Sequence, residues 1–162
     1  MVARTQTKKS QKASFTTGSK KAHRKISGKD TLIGLNLIKT EKNVLIQNIK
    51  KGLPISAFEK IQKELDVSAD TLASTVNIAN RTLARRKKEG RFQPDESERV
   101  LRIASLFDRA LQVLHDHNRV QLWFKSPQKG LGGKTPLEYA DTEPGARELE
   151  DLLGRLEHGV FS

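Results

Sequence analysis

Apolar positions recur at helical spacing along most of the chain after residue 40, which predicts a series of amphipathic α-helices. A short helix around Val120 to Phe124 and a glycine-rich loop from Ser126 to Lys134 interrupt this series. The run Leu32 to Ile38 is too short for periodicity to distinguish a strand from the start of a helix. The main apolar stripes are Val44, Leu45 and Ile49; Ala57, Phe58, Ile61 and Leu65; Val100, Leu101, Ala104, Phe107, Leu111 and Leu114; and Leu149, Leu152, Leu153 and Leu156.

Residues that favour helix ends flank these stripes, and the whole pattern predicts an all-α fold. Thr40 can cap the first helix and Gly52 can end it. Ser68 can cap a helix that follows Val67, and Thr135 can cap a turn that begins at Pro136. The long helix is predicted from Pro94 to His115, and the last one from about Gly145 to Glu157, closed by Gly159.

The window from Ala69 to Lys88 has the spacing of two short helices that cross in a helix-turn-helix. Asn77 falls in the turn, where Asn tolerates the left-handed conformation that Gly usually adopts, and Ala73 is small where the helices meet. The predicted shared core contains Leu72, Val76, Ile78 and Leu83. We therefore expect a helix-turn-helix DNA-binding domain over residues 31–92.

The second helix of this pair, about Ala79 to Lys88, is expected to expose a basic face. Asn pairs with adenine and Arg with guanine, so the candidates for base contact are Asn80, Arg81 and Arg85. The candidates for phosphate contact are Arg86, Lys87, Lys88 and Arg91. The alternative is a solvated charged face on an ordinary helix, which the two-helix spacing disfavours.

The charge is polarised along the chain. Residues 1–29 hold nine basic residues and no acid, residues 30–91 hold twelve and seven, and residues 92–162 hold nine and twelve. Residues 1–30 have too few aliphatic side chains to offset their ordering entropy and are predicted to form a disordered basic tail. The tail is either an arm on nucleic acid or a solubilising extension. An acidic second half suits a basic protein surface.

Other chemistries are disfavoured. The chain has no cysteine, which excludes disulfides and thiolate metal sites, and no apolar run is long enough for a membrane span. GLGGKT has Gln128 where a phosphate-binding loop needs Gly. His115, Asp116 and His117 would point to different faces of a helix. Since no nucleophile is paired with a base, we expect no enzyme activity, no cofactor and no metal, in a cytoplasmic protein.

The last forty residues hold four of the eight aromatic side chains, Trp123, Phe124, Tyr139 and Phe161. Aromatic side chains are enriched in interface hot spots. We expect at least one of Trp123 and Phe124 in the core, whereas Tyr139 and Phe161 are better placed for contact with a partner. The glycines, prolines and acids of LGGKTPLEYADTEPGA, residues 131–146, also indicate a shaped surface.

From residue 52 onward the chain resembles the Xre/MbcA/ParS antitoxin family. The segment from GLPISAFEKIQKELDV to RVLRIASLF resembles the helix-turn-helix half of that family, and LGGKTPLE, TEPGA and HGVFS follow in the family's order. The resemblance implies an antitoxin that neutralises a RES-domain toxin acting on NAD and that represses its own operon. Residues 1–30 fall outside it, and Asn77 stands where Gly is usual in the turn.

The resemblance also implies which residues meet the toxin. Residues 93–162 would be a small helical toxin-binding domain, and its last residues would approach the active-site cleft of the toxin. The residues that would form or support this interface are Leu131, Gly132, Gly133, Pro136, Leu137, Glu138, Tyr139, Gly159, Val160, Phe161 and Ser162. A short apolar end with a carboxylate would suit a nucleotide pocket.

Two alternatives remain open at this point. The chain could be a stand-alone dimeric helix-turn-helix regulator whose second half only dimerises, or a basic RNA-associated structural protein. The expected partners under the leading interpretation are a RES-domain toxin and double-stranded operator DNA. One module neutralises few phosphates, each contributing about 0.9 to the salt slope, so a homodimer within a larger toxin-antitoxin complex is expected.

Overall fold

The computed structural model describes residues 42–159. The predicted tail, the run Leu32 to Ile38, the Thr40 cap and the segment Val160 to Ser162 lie outside the described residues. Within 42–159 the regular structure is helical, with one isolated bridge between Pro54 and Arg91, so the all-α prediction is confirmed. The helices are α1 (Lys42–Lys51), α2 (Ile55–Leu65), α3 (Ala69–Thr75), α4 (Asn80–Glu89), α5 (Pro94–Leu114), α6 (His117–Lys125), α7 (Pro136–Tyr139) and α8 (Glu143–His158), with a 3₁₀ turn at Lys129–Leu131.

Helix α5 is the centre of the fold, because it packs against α1, α2, α6 and α8. Its predicted apolar stripe faces the core, where the Phe107 ring stacks on Phe124 with centroids 6.1 Å apart. Helix α5 therefore supports both the helices that precede it and those that follow. The boundaries predicted for the domains, 1–30, 31–92 and 93–162, remain predictions.

Local sequence explains most helix ends. The hydroxyl of Ser68 accepts a hydrogen bond from the Thr71 N–H at 3.0 Å, as predicted for the cap of α3. Pro94 opens α5, and His115 ends it in the left-handed conformation. Helix α8 begins two residues earlier than predicted, because Thr142 caps it and Pro144 fits its first turn.

Candidate nucleic-acid interface and partner surface

The turn between α3 and α4 has the predicted geometry. Asn77 adopts φ +52°, and the Ile78 N–H donates to the Ala73 carbonyl at 2.8 Å, which closes the turn. The residues predicted for the shared core, Leu72, Val76, Ile78 and Leu83, are all buried. The turn thereby fixes the direction in which α4 leaves the core.

Helix α4 exposes the three residues predicted to contact bases. Asn80, Arg81 and Arg85 are exposed while Leu83 faces inward. Arg81, Ala84, Arg85 and Lys88 line an open groove of about 420 Å³ on this face. The Arg85 guanidinium lies 3.8 Å from the Glu89 carboxylate and its side chain is 61% exposed, so it stays available to a ligand.

Arg86 is not part of this exposed face, and its predicted contact with phosphate is wrong. The residue is 6% exposed, and its guanidinium makes a two-pronged pair with Glu96 on α5, Nε to Oε2 at 2.7 Å and Nη2 to Oε1 at 2.9 Å. A third bond runs from Nη1 to Glu89 at 2.6 Å. Because the buried guanidinium makes all three bonds to carboxylates, Arg86 fixes α4 to α5 and is not exposed for contact with the phosphates of DNA.

The carboxylate of Glu96 is adapted to this role. Its burial alone would raise its pKa, but the hydrogen bond from Arg86 and a second one from the backbone N–H of Gln93 bring the pKa below its ordinary value. The same two carboxylates, Glu96 and Glu89, raise the pKa of Arg86. Arg86 and Glu96 therefore both stay charged over the physiological pH range. The ion pair fixes α4, and no local sequence pattern predicts it.

The other phosphate candidates keep exposed positions. Lys87 and Lys88 are exposed at the end of α4. Arg91 is exposed as well, but one of its guanidinium nitrogens donates to the Gly52 carbonyl at 2.8 Å, so part of its hydrogen-bonding capacity is already used. Of the four phosphate candidates, the two lysines have the freer side chains.

The residues predicted for the partner surface divide into a buried and an exposed set. Leu131, Pro136 and Leu137 are buried and therefore hold the loop on the core. Exposed or half-buried around them are Gly132, Gly133, Glu138 and Tyr139. The loop before α7 is closed by two bonds of Gln128, whose N–H donates to the Lys134 carbonyl and whose carbonyl accepts from the Gly133 N–H, both at 3.0 Å. Gln128 is thus a structural residue that the sequence did not single out.

Helix α7 is held by a reciprocal capping box between Thr135 and Glu138. The Thr135 N–H donates to the Glu138 carboxylate at 2.8 Å, and the Glu138 N–H donates back to the Thr135 hydroxyl at 3.2 Å. The bond from the Thr135 backbone, with that from its hydroxyl, lowers the pKa of Glu138. This four-residue helix therefore depends on a carboxylate that also lies on the predicted partner surface.

Gly145 sets how closely α8 approaches α7. A Cβ atom at this position would lie 1.9 Å from the Tyr139 carbonyl oxygen, far inside any real contact distance. The absence of a side chain lets the first turn of α8 pack directly on the backbone that ends α7. Helix α7 and the first turn of α8 are therefore held in one fixed arrangement.

The far end of α8 lies on the side of the glycine loop. A Cβ atom placed on Gly130 would lie 3.5 Å from Cδ1 of Leu152, and Gly159, which ends α8 in the left-handed conformation, follows Leu152 by about 10 Å of helix. Arg109 of α5 pairs with Glu157 in this last turn, and that hydrogen bond lowers the pKa of Glu157. The loop thus lies beside α8, which Gly159 ends, whereas Val160, Phe161 and Ser162 lie outside the described residues.

Both Trp123 and Phe124 are buried, so the expectation that at least one belongs to the core is confirmed. The two rings meet edge to face with centroids 5.1 Å apart. Tyr139 is half-buried, with Lys134 over its ring at 6.0 Å. Among these three aromatic residues, Tyr139 has the most surface to offer a partner.

An open groove of about 840 Å³ lies between the helix-turn-helix and the C-terminal half of the protein. No pattern in the sequence predicted it. Helix α3 forms one wall, and α6 and α7 form the other. Carboxylates of Asp70, Glu138 and Asp141 face it. The remaining lining comprises Val67, Ser68, Thr71, Ser74, Thr75, Phe124, Lys125, Thr135 and Leu137.

His117 has a structural position. His117 pairs with Glu64 of α2, and its ring meets Phe107 edge to face, while Asp116 caps α6. No group of three or more potential metal ligands occurs between residues 42 and 159. None of the helices in that range has the length and apolar character needed to cross a membrane.

Two family models match consecutive parts of the chain. The model for the antitoxin Xre-like helix-turn-helix domain matches residues 44–105, and that for the antitoxin Xre/MbcA/ParS C-terminal toxin-binding domain matches residues 109–159. The first therefore includes α4 with its exposed basic face, and the second includes α6, the glycine loop, α7 and α8.

Curated relatives and a solved structure agree with this division. The chain is 38% identical over 121 residues to "Antitoxin Xre" of Yersinia enterocolitica, covering 74% of this chain and 82% of the relative. It is 34% identical to "Antitoxin Xre" of Photorhabdus laumondii, covering 70% and 78%. A "Prs ADP-ribosylating antitoxin" of Sphingobium sp. is 25% identical over 70% and 78%. One chain of the M. tuberculosis MbcT-MbcA toxin-antitoxin complex shares the fold, with a TM-score of 0.51, 20% identity, and coverage of 66% and 96%.

Proposed function

The chain belongs to the Xre family of type II antitoxins, and from this premise we propose that it neutralises a RES-domain toxin and represses its own operon. The family is one of binding proteins with a helix-turn-helix and a toxin-binding domain, and is not an enzyme family. The observation that carries the proposal is that different elements form the two surfaces: α4 exposes its basic face, and the loop, α7 and α8 expose the residues predicted to meet a partner.

For the operator, α4 supplies the reading surface. Asn80, Arg81 and Arg85 contact base edges in the major groove, and Lys87 and Lys88 contact the flanking phosphates. Arg91 adds a further phosphate contact beside its bond to Gly52. Arg86 belongs to the support of the helix, so the basic cluster has fewer ligand-binding members than its sequence indicates.

Because one α4 reaches few phosphates, the protein binds as a homodimer within a larger complex with the toxin. The two recognition helices then require half-sites separated by about one turn of DNA. DNA binding also implies that the protein acts in the cytoplasm, where the operator is.

For the toxin, the surface formed by Gly132, Gly133, Glu138 and Tyr139 makes the contact, resting on the buried Leu131, Pro136 and Leu137. The residues proposed to enter the active-site cleft of the toxin are Gly159 to Ser162. The name of the Sphingobium relative supports a toxin of related chemistry, since ADP-ribosylation takes its transferred group from NAD. A RES-domain toxin acting on NAD is the proposed partner.

The test is coexpression with the product of the neighbouring gene, which the proposal requires to be a RES-domain protein, followed by growth, NAD content and copurification. The full chain should restore growth and copurify with the toxin, whereas deletion of Val160 to Ser162, which keeps the Gly159 helix end, should abolish protection and leave operator binding intact. Protection by the shortened chain would refute the role of this segment. Failure of the full chain to bind the toxin, with operator binding intact, would favour a stand-alone regulator.

A second experiment tests DNA binding. It compares the double variant Arg81→Ala, Arg85→Ala with Arg147→Ala, which controls for loss of an exposed arginine on α8. Electrophoretic mobility shift with a duplex of the chain's own promoter region should show weaker binding for the α4 double variant only. Equal binding by both variants would mean that another face reads the DNA.

A further inference from the structure

Three polar links connect the helix-turn-helix, α5 and the segment that starts α8, one of them directly and two through α5. The Asn77 side-chain amide donates from Nδ2 to the Asp141 carbonyl at 3.1 Å. On α5, Arg102 pairs with Glu143 at 3.2 Å, and Arg99 donates to the Val76 carbonyl at 2.8 Å. We call these links the turn clasp.

Asn77 is the informative member, because its conformation and its side chain can be separated. The residue needs a left-handed backbone, with φ +52°, and Gly adopts that conformation at no steric cost. The amide therefore adds something that the turn itself does not require. What it adds is the bond to Asp141, across 64 positions of the chain.

Both ends of that bond lie next to a binding surface. Asn77 precedes Asn80, the first residue of α4, by three positions. Asp141 lies between Tyr139, which ends α7, and Thr142, which caps α8, and Gly145 holds these two helices in contact. A partner that shifts α7 against α3 must therefore lengthen or break the bond to the turn that directs α4.

We propose that Asn77 couples the two surfaces, so that toxin bound at α7 and α8 and operator bound at α4 change one another's affinity through the turn clasp. This inference rests on the proposed function. The coupling is reciprocal, since each ligand must change the affinity of the other by the same factor. One exposed amide-to-carbonyl hydrogen bond accounts for about a two- to tenfold factor.

The experiment measures the operator dissociation constant of the full chain with and without saturating, catalytically inactive RES-domain protein, by fluorescence anisotropy. The coupling factor is the ratio of the two constants. In Asn77→Gly, which keeps the turn and removes the donor, the ratio should move about two- to tenfold toward one, while each ligand alone still binds. Asn77→Asp, which keeps the size of the side chain but has no amide donor, should behave in the same way.

Glu143 supplies a matched control, because it pairs both with Arg102 of α5 and with Arg147 of α8, each at 3.2 Å. Arg102→Gln breaks the clasp and should reduce the coupling factor, whereas Arg147→Gln leaves the clasp and should not. Thermal unfolding of each variant establishes that it is folded at the temperature of the assay.

The outcomes separate the two levels of inference. An unchanged coupling factor in Asn77→Gly and Asn77→Asp would overturn the coupling role, and so would a factor of one in the unaltered chain. In both cases, binding of each ligand alone would still support the proposed function. A chain that binds neither the RES-domain protein nor its promoter duplex would overturn both.

Discussion

Helix α8 contains two glycines in opposite surroundings, Gly145 in close contact with α7 and Gly154 with open space around it. Substitution of each by Ala tests the packing of the partner surface. At Gly145 a new Cβ would lie 1.9 Å from the Tyr139 carbonyl oxygen, whereas at Gly154 nothing lies within 4 Å. Both residues are within α8, so Ala improves helix propensity at each. The difference between the two variants therefore reports the contact between α7 and α8.

The magnitude follows from these distances. Gly154→Ala should stabilise the fold by about 0.5 to 1 kcal/mol, the ordinary advantage of Ala over Gly inside a helix. Gly145→Ala must separate two backbones by about 1 Å to relieve the overlap, and overpacking of this kind costs about 1 to 3 kcal/mol. For a chain of this length, about 1 kcal/mol corresponds to about 2 to 4 °C in the unfolding midpoint.

Thermal unfolding followed by circular dichroism provides the measurement. We expect the midpoint to rise by about 1 to 4 °C in Gly154→Ala and to fall by about 2 to 12 °C in Gly145→Ala. Gly145→Ala should also weaken toxin binding, because it moves α7 away from α8. A midpoint for Gly145→Ala equal to or above that of the unaltered chain would refute the close approach.

Three further predictions concern charged residues. Glu96→Gln removes one of the two ionised partners of the buried Arg86 and should lower the unfolding midpoint by several degrees, whereas Glu98→Gln on the exposed side of α5 should not. Lys87→Ala should reduce the slope of log affinity against log salt by about 0.9 per site, measured by anisotropy on the promoter duplex, and an unchanged slope would argue against a phosphate contact. Because the folded pKa of Glu138 lies below its ordinary value of 4.5, its contribution to stability is present above that value and is lost as pH falls through the folded pKa. The difference in midpoint between the chain and Glu138→Gln should therefore shrink between pH 7 and pH 3, and a constant difference would contradict the capping role.

What sequence predicted well depended on neighbouring residues. The Ser68 cap and the left-handed Asn77 are decided within a few positions, and the structure shows both as expected. The capping residue Thr135 before Pro136 is of the same kind. Periodicity placed Leu83 inward and Arg85 outward on α4, because the helical repeat alone determines that choice.

What sequence did not predict depended on residues distant in the chain. Arg86 looked like one more cation of a basic run, and only the position of Glu96 on the next helix turns it inward. Leu131 and Leu137 are buried by the tertiary placement of the loop, which composition does not determine. The groove between α3 and α7 and the bond from Asn77 to Asp141 arise from how the halves dock, which no local pattern specifies.

The packing of α5 determines where chimeras between this chain and its relatives can be joined. Helix α5 packs on α1 and α2 as well as on α6 and α8. A crossover before Pro94 would therefore combine α5 of a relative with α3 and α4 of this chain and disrupt the pair of Arg86 with Glu96. A crossover at His115 and Asp116, where one helix ends and a new cap begins, keeps that pairing intact. Chimeras that introduce a new toxin specificity should therefore keep α5 of this chain and change only those of its residues that contact α6 and α8.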